Sequence, residues 1–472
     1  MNYIYPMNRF TKWVGAWTTL LLISISLVSC ADQDTRYQDR LQDPALFNAS
    51  MQQLTDVIVY DIFSPPVASR IYVYPTIAAY SILRQVNEEY ASLEGQLNDF
   101  TEIPALPEGV NPHLAAIQAF LELGEQLIFS KKRISDYREQ VYAELRELGL
   151  PDAEYEASVA YADEVVAHMR QWIDQDFYRE TRTYPKYSVR QEDRYWKPTP
   201  PDYMDGIEPH WQRIRPLVIP NAEAFNPKAP LEVNMDPNSP FYAQLMEVYE
   251  KGKKVTEDNN ENEQAQIAAF WDCNPYVSNY KGHAMFATKK ITPGGHWIGI
   301  TKLATESANS SYEETVEVYL HVTVALFDGF ISCWDTKWKT LVVRPETLIH
   351  QYIDEAWRPK LQTPPFPEYT SGHSVISRAA AFALTKVYGD NFAFDDTTEE
   401  KYGLPTRSYT SFLHASEEAA ISRLYGGIHY RMAIDEGVAQ GEAVGIYINE
   451  HLNTRKSETQ PAVALKIRSY EH

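Results

Sequence analysis

Apolar residues recur at three- and four-residue spacing through most of this chain and almost nowhere alternate, which predicts helices and no convincing strand. Leu54, Val57, Ile58, Tyr60 and Ile62, then Tyr72, Ile77, Tyr80 and Leu83, trace two helices in 45–98, divided at Pro65-Pro66. A second block covers 112–148 and a third 153–177. Ten prolines then fall in 195–240, together with Trp196 and Trp211. Disordered linkers are poor in aromatics, so this segment reads as a packed cover. Helical spacing returns over 240–271. A loop follows through Phe270-Trp-Asp-Cys-Asn-Pro-Tyr276 and on to Gly294-Gly295-His296. A long apolar helix is predicted over 311–334, with further helices at 337–353, 374–388, 417–425 and 433–452. The fold class is therefore all-α. An N-terminal helical region at 43–240 and a C-terminal helical core at 241–460 read as one continuous domain over 43–460, with no internal repeat.

With 472 residues and 44% hydrophobic content the chain can bury a large core. Its net charge of −21 argues against a nucleic-acid partner. Arg9 and Lys12 precede a short apolar run that ends in Leu27-Val28-Ser29-Cys30. That is the pattern of an export signal, and its ending resembles a bacterial lipobox. The resemblance implies removal of residues 1–29, a lipid on the Cys30 thiol and a polar tether over 30–42. The expected product is an exported bacterial lipoprotein, periplasmic or on the cell surface, touching the membrane only through its anchor. No other stretch reads as long and apolar enough to span a bilayer. The remaining cysteines, Cys273 and Cys333, fit either one disulfide or two buried thiols.

The chemistry concentrates in three pieces. Pro364 to Arg378 carries Ser371-Gly372-His373 just ahead of an apolar helix. A helix N-terminus seats an anion, the glycine lets it approach the backbone, and the histidine can exchange a proton. Upstream, Lys337 and Arg344 stand seven residues apart before Pro345; on one helix they would share a face and clamp an anion. Downstream, Ser422-Arg423 and His429 flank Gly426-Gly427, where a break would turn Arg423 and His429 to one point. Asp435 could orient the His429 ring. Each piece alone has an ordinary explanation: a solvated helix edge, a salt bridge, a core histidine. His296, His321, His350 and His414 are assigned no ligand role.

Taken in order, Lys337-x6-Arg344-Pro345, Ser371-Gly372-His373 and Ser422-Arg423-x5-His429 resemble the signature shared by vanadium-dependent haloperoxidases and type 2 phosphatidic acid phosphatases. The resemblance is clearest from about Phe270 to His451. Trp334-Asp335 before the lysine and Phe366 before His373 are similar to the haloperoxidases, as are the Pro198–Pro216 and Phe270–Pro275 segments. Thr370 stands where that family usually has proline. The resemblance implies a helical-bundle haloperoxidase/acid phosphatase-like fold around one vanadate per chain. It implies that His429 binds the vanadium and that Lys337, Arg344, Ser371, Gly372, His373 and Arg423 hold the oxyanion. His373 would be the acid–base group and Lys337 would act on hydrogen peroxide, with a halide as the second substrate. Iodide is favoured, bromide second, with Tyr276, Trp334, Asp335 and Phe366 as the pocket wall. The competing readings are a soluble phosphatase with His429 as nucleophile on phosphorus, and a non-catalytic lipoprotein that binds phosphate or a glycan.

Overall fold

Several helices begin on a capping side chain followed at once by proline. The Asp43 carboxylate accepts from the Ala45 N–H at 2.9 Å, Asn111 from His113 and Leu114, and Thr292 from Gly295 at 3.0 Å; Pro44, Pro112 and Pro293 follow them. The caps satisfy first-turn donors, and proline supplies a helical φ where its missing N–H costs nothing. The computed structural model describes residues 35–257, 262–281, 284–287 and 289–456. The export signal and Cys30 lie outside the described residues.

The helices are α1 (Arg36–Gln42), α2 (Pro44–Asp61), α3 (Pro65–Leu83), α4 (Pro112–Leu127), α5 (Lys131–Glu147), α6 (Asp152–Ile173), α7 (Tyr178–Thr181), α8 (Pro240–Glu257), α9 (Glu263–Phe270), α10 (Pro293–Ser307), α11 (Tyr312–Thr340), α12 (Pro345–Tyr352), α13 (Gly372–Tyr388), α14 (Phe412–Tyr425) and α15 (Arg431–His451). Four expectations change. The tether is helical from Arg36, because Tyr37 and Leu41 find a core to enter. The segment carrying Gly294-Gly295-His296 is the start of α10, not a loop. Two short antiparallel pairs exist, Ser278–Lys281 with Ala284–Ala287 and Phe394–Asp396 with Arg407–Tyr409. Finally, α11 is long and apolar enough for a membrane span, yet its most apolar stretch is wholly inside the protein.

That helix is the axis of the molecule. It packs against α2, α3, α10, α13 and α15, and one apolar core draws on residues from Tyr37 to Leu452. The proline-rich segment is a packed cover, with Trp196 and Trp211 fully buried. The Asp328 carboxylate of α11 accepts from the N–H groups of Leu217, Val218 and Ile219 at 2.7, 2.7 and 2.9 Å. At the other end of the cover, the Trp196 N–H donates to the Leu341 carbonyl and the Val343 N–H to the Arg194 carbonyl.

Helices α13 and α15 pack most closely, through Gly437, Gly441 and Gly445, which line one face of α15 at four-residue spacing. A Cβ at Gly437 would lie 2.9 Å from Ser374 and 3.1 Å from the Ser371 carbonyl; at Gly445 it would lie 2.7 Å from Phe382. At Gly441 it would collide with the Val375 carbonyl oxygen. Backbone, not a movable side chain, occupies that space. Gly441→Ala should therefore lower unfolding stability by about 1–3 kcal/mol, the usual cost of overpacking, measured as a shift in denaturant midpoint at unchanged m-value.

Candidate active site

The clamp is built by breaking a helix, not by helical periodicity. α11 ends at Thr340, where Leu341 takes a left-handed φ of 54°, and the chain runs extended until Arg344 caps α12. Lys337 and Arg344 therefore do not share one helical face; they meet because the chain turns back on itself between them. Both are fully buried. Their cationic groups lie over the same Phe366 ring, each 5.1 Å from its centroid.

Lys337 has three N–H donors, and they go to the carbonyls of Pro367, Glu368 and Thr370. It thus pins the turn that leads into α13. Thr370, where the related signature has proline, donates to Gln440 Oε1 at 2.6 Å. Ser371 caps α13 through its hydroxyl, which accepts from the Ser374 N–H, while its own N–H donates to the Ala433 carbonyl. The free first-turn donors of α13 are therefore those of Gly372 and His373, not that of Ser371. A Cβ on Gly372 would stand 3.8 Å from Trp334 and 4.0 Å from Lys337 Cε, filling the space over the helix end without striking the protein.

Arg344 Nη1 donates to the Ile428 carbonyl at 2.9 Å and to His429 Nε2 at 3.0 Å. A guanidinium only donates, so Nε2 must be a lone pair and Nδ1 must carry the proton. Nδ1 donates to Glu368 Oε1 at 2.8 Å, and the same oxygen accepts from the Tyr430 N–H at 2.9 Å. Asp435, expected to orient this ring, is solvent-exposed on α15, where Arg431 and Glu247 are its charged neighbours. Glu368 takes its place. It is the only acid between Pro364 and Arg378, and that was the signal available in the sequence.

His373 forms a hydrogen bond with the Trp271 backbone, and its Nε2 is buried with no partner among the described residues. The bond therefore falls on Nδ1–H, and Nε2 is a free proton acceptor. Arg423 donates to Ser422 Oγ and to the Trp271 carbonyl at 2.7 Å. One cavity is lined by His373, His429, Arg423 and Gly372 together with Tyr276, Trp334, Phe330 and Phe366. Asp335 is not part of that wall. It is buried against Asn226 at 2.8 Å and Lys339 at 2.9 Å. Cys273 and Cys333 are free buried thiols.

Burial dominates the electrostatics. It pushes Lys337 down to about 7 and both Arg344 and Arg423 down to about 10. It also holds His373 and His429 well below the usual imidazole value, with the neighbouring cations adding to the effect. Glu368 is pushed up to about 7 by burial, held back by Arg344 and Lys337. Among the described residues Arg344 Nη2 has no partner. The charge of three buried basic side chains, an orphaned guanidinium nitrogen and two first-turn N–H groups suit an oxyanion; Lys337, its N–H groups all given to carbonyls, adds charge and no donor.

Comparison with known proteins agrees. The crystal structure of the first bacterial vanadium-dependent iodoperoxidase is 48% identical, with a TM-score of 0.83, over 87% of this chain and 97% of that one. This chain belongs to the vanadium-dependent haloperoxidases. Residues 317–457 match the family described as the VCPO second helical-bundle domain. The holo- and apo-type bacterial vanadium-dependent chloroperoxidases share its fold at 15% and 14% identity, with TM-scores of 0.62 and 0.60. The holo structure covers 83% of this chain and 93% of its own; the apo structure covers 82% and 94%. No curated sequence matches. The haloperoxidase takes vanadate as cofactor, and the donor set above fits that oxyanion in charge and in orphaned donors.

Because Glu368 fixes the tautomer of His429 at the cavity, Glu368→Gln should weaken vanadate binding by about 10- to 100-fold. Asp435→Asn should leave it unchanged. Titration of the metal-free enzyme with orthovanadate checks both.

Proposed function

We propose that this haloperoxidase oxidises iodide in preference to bromide, and that His429 binds the vanadium through Nε2. The carrying observation is the His429 ring: it lines the cavity, Nδ1–H is held by Glu368, and the Nε2 lone pair, which accepts from Arg344, is the one the metal would take over. Arg344, Arg423, the Ser371 hydroxyl and the Gly372 N–H would hold the oxygens. Lys337 contributes charge and, through three carbonyls, the position of the 367–370 turn.

The overall reaction joins hydrogen peroxide, a halide ion and a proton to give hypohalous acid and water. Bound vanadate supplies a Lewis-acid centre at which peroxide becomes electrophilic toward halide. The protein supplies the proton path. His373 Nε2, neutral and unpartnered, accepts a proton at the cavity and can return it as the leaving oxygen departs. The cations offset the charge in a site shielded from bulk water. Iodide is the easiest halide to oxidise, and the wall of Trp334, Phe330, Phe366 and Tyr276 offers a polarisable, weakly hydrating surface to a large anion. The 48%-identical relative described as an iodoperoxidase supports the same choice.

We further propose that the haloperoxidase is exported and lipid-anchored at Cys30, a reading supported by the leader sequence alone. Labelling with radioactive palmitate in the native host, lost in Cys30→Ala, tests it.

Vanadate-dependent triiodide formation from iodide and peroxide, exceeding bromide oxidation in the same assay, is the expected result. Hydrolysis of a phosphate ester by the metal-free enzyme, with no halide oxidation after vanadate addition, would reject it. His429→Ala should lose vanadium. His373→Ala should keep most of it while turnover falls about 10²- to 10⁴-fold; vanadium content and kcat measured on one sample separate the two roles.

The pH dependence of cofactor binding follows from Lys337. In the empty cradle Lys337 loses its charge as pH rises through about 7. Oxyanion binding favours the charged form, so above that pH it must take up a proton. Affinity should therefore fall with rising pH, by up to about tenfold per unit for one proton. Lys337→Met should bind more weakly and show a flatter profile; comparing the two proteins cancels the titration of vanadate itself.

A further inference from the structure

Cys273, His296 and Glu399 come from three separate segments and converge beside the cradle. Cys273 follows α9, His296 lies in the first turn of α10, and Glu399 lies just beyond the strand Phe394–Asp396. All three are buried, at 1%, 0% and 5% exposure. His296 Nδ1 lies 3.5 Å from Cys273 Sγ and 3.2 Å from Glu399 Oε1, and these two are 4.0 Å apart.

We propose that Cys273, His296 and Glu399 form a second metal site, separate from the oxyanion cradle, for one zinc-like divalent cation. Tetrahedral zinc with its usual bond lengths puts sulfur and nitrogen about 3.5 Å apart, nitrogen and oxygen about 3.3 Å, and sulfur and oxygen about 3.5 Å. Two of the three edges match closely. The longer one ends on a carboxylate, which can rotate. A single ring nitrogen has one lone pair or one proton, so it cannot bond fully to both the thiol and the carboxylate; a cation between them serves all three ligands.

The other ring nitrogen is arranged as ligating histidines usually are. His296 Nε2 lies 2.8 Å from Asp396 Oδ2, whose carboxylate is fully buried, and 2.7 Å from Thr398 Oγ1. Although burial works against it, Asp396 and Cys273 hold the His296 ring well above the usual imidazole value, so a cation must displace the Nδ1 proton while Nε2–H stays with Asp396, and Nδ1 then presents its lone pair to the centre of the cluster. The ring is held flat against Trp271, with centroids 4.4 Å apart and planes at 17°, and Phe270 meets its edge. Burial pushes the Cys273 thiol up, and a divalent cation would offset that cost by binding the thiolate. Thiolate, imidazole and carboxylate together suit zinc better than calcium or magnesium. Because Cys273 also lines the active cavity, a water can complete the set from that side.

The site would fix the segment that serves the cradle. The Trp271 backbone is held by both Arg423 and His373, and Tyr276 of the same segment lines the cavity. The cation acts there as a positioning device and not as a reacting centre.

Zinc and vanadium should be counted in the same sample of full-length protein loaded with both and desalted. The expected result is about one zinc per chain, reduced at least fivefold in Cys273→Ser and in Glu399→Gln. Cobalt in place of zinc should give a thiolate-to-cobalt charge-transfer band in the wild type, a readout that does not depend on either variant folding. Wild type with neither zinc nor the band, or Cys273→Ser that binds as much zinc as wild type, overturns the proposal. Vanadium content and iodide oxidation report on the cradle, so their loss with zinc retained would overturn the iodide reading and leave this one standing.

Discussion

Buried positive charge is the constraint on which the rest of this structure depends. Lys337, Arg344 and Arg423 lie within the protein; the carboxylates that act on them are Glu368 on Lys337 and Arg344, Glu346 on Arg344, and Asp272 on Arg423. Left alone, such a cluster resists folding, because removing cations from water costs several kcal/mol each. The protein reduces that cost with backbone carbonyls. Lys337 is solvated by three of them, Arg344 by those of Phe366 and Ile428, and Arg423 by that of Trp271. What the carbonyls leave unsatisfied, notably Arg344 Nη2, is available to an oxyanion. Cofactor affinity and local strain are thus two aspects of one arrangement.

The carbonyls work only if the chain segments bearing them are held in place, and the surrounding packing does this. The glycine face of α15 brings α13 close enough for Ser371 to bond Ala433, which sets the position of the helix end over the cavity. Asp328 ties down the proline-rich cover, whose far end hydrogen-bonds to the 341–343 turn that separates the two clamp residues. The long apolar helix α11 carries both Asp328 and Lys337. One rigid rod therefore links the cover to the cradle.

Two imidazoles at the cavity differ in their hydrogen-bond partners. Glu368 fixes the His429 proton on Nδ1, and the Nε2 lone pair accepts from Arg344. The Trp271 backbone does the same for His373, but its free Nε2 meets no cation donor and remains a proton acceptor. The same side chain thus presents its ring nitrogens in two different settings according to what stands behind it.

Part of this was legible in the sequence by itself. Helical spacing gave the all-α class, and the three spaced blocks pointed to residues that the fold buries close together, because residue type and order survive folding. The tertiary structure decided what depends on chain reversals. Lys337 and Arg344 meet across a left-handed residue and an extended turn, which no periodicity encodes. Glu368, rather than Asp435, backs His429, because proximity in the chain says nothing about which carboxylate points inward. Asp335 turns to Asn226 and Lys339, although its neighbour Trp334 lines the cavity, since adjacent positions on a helix face different ways. His296 carried no pattern at all: its partners lie 23 and 103 residues away in the chain, and only the fold brings Cys273 and Glu399 to it.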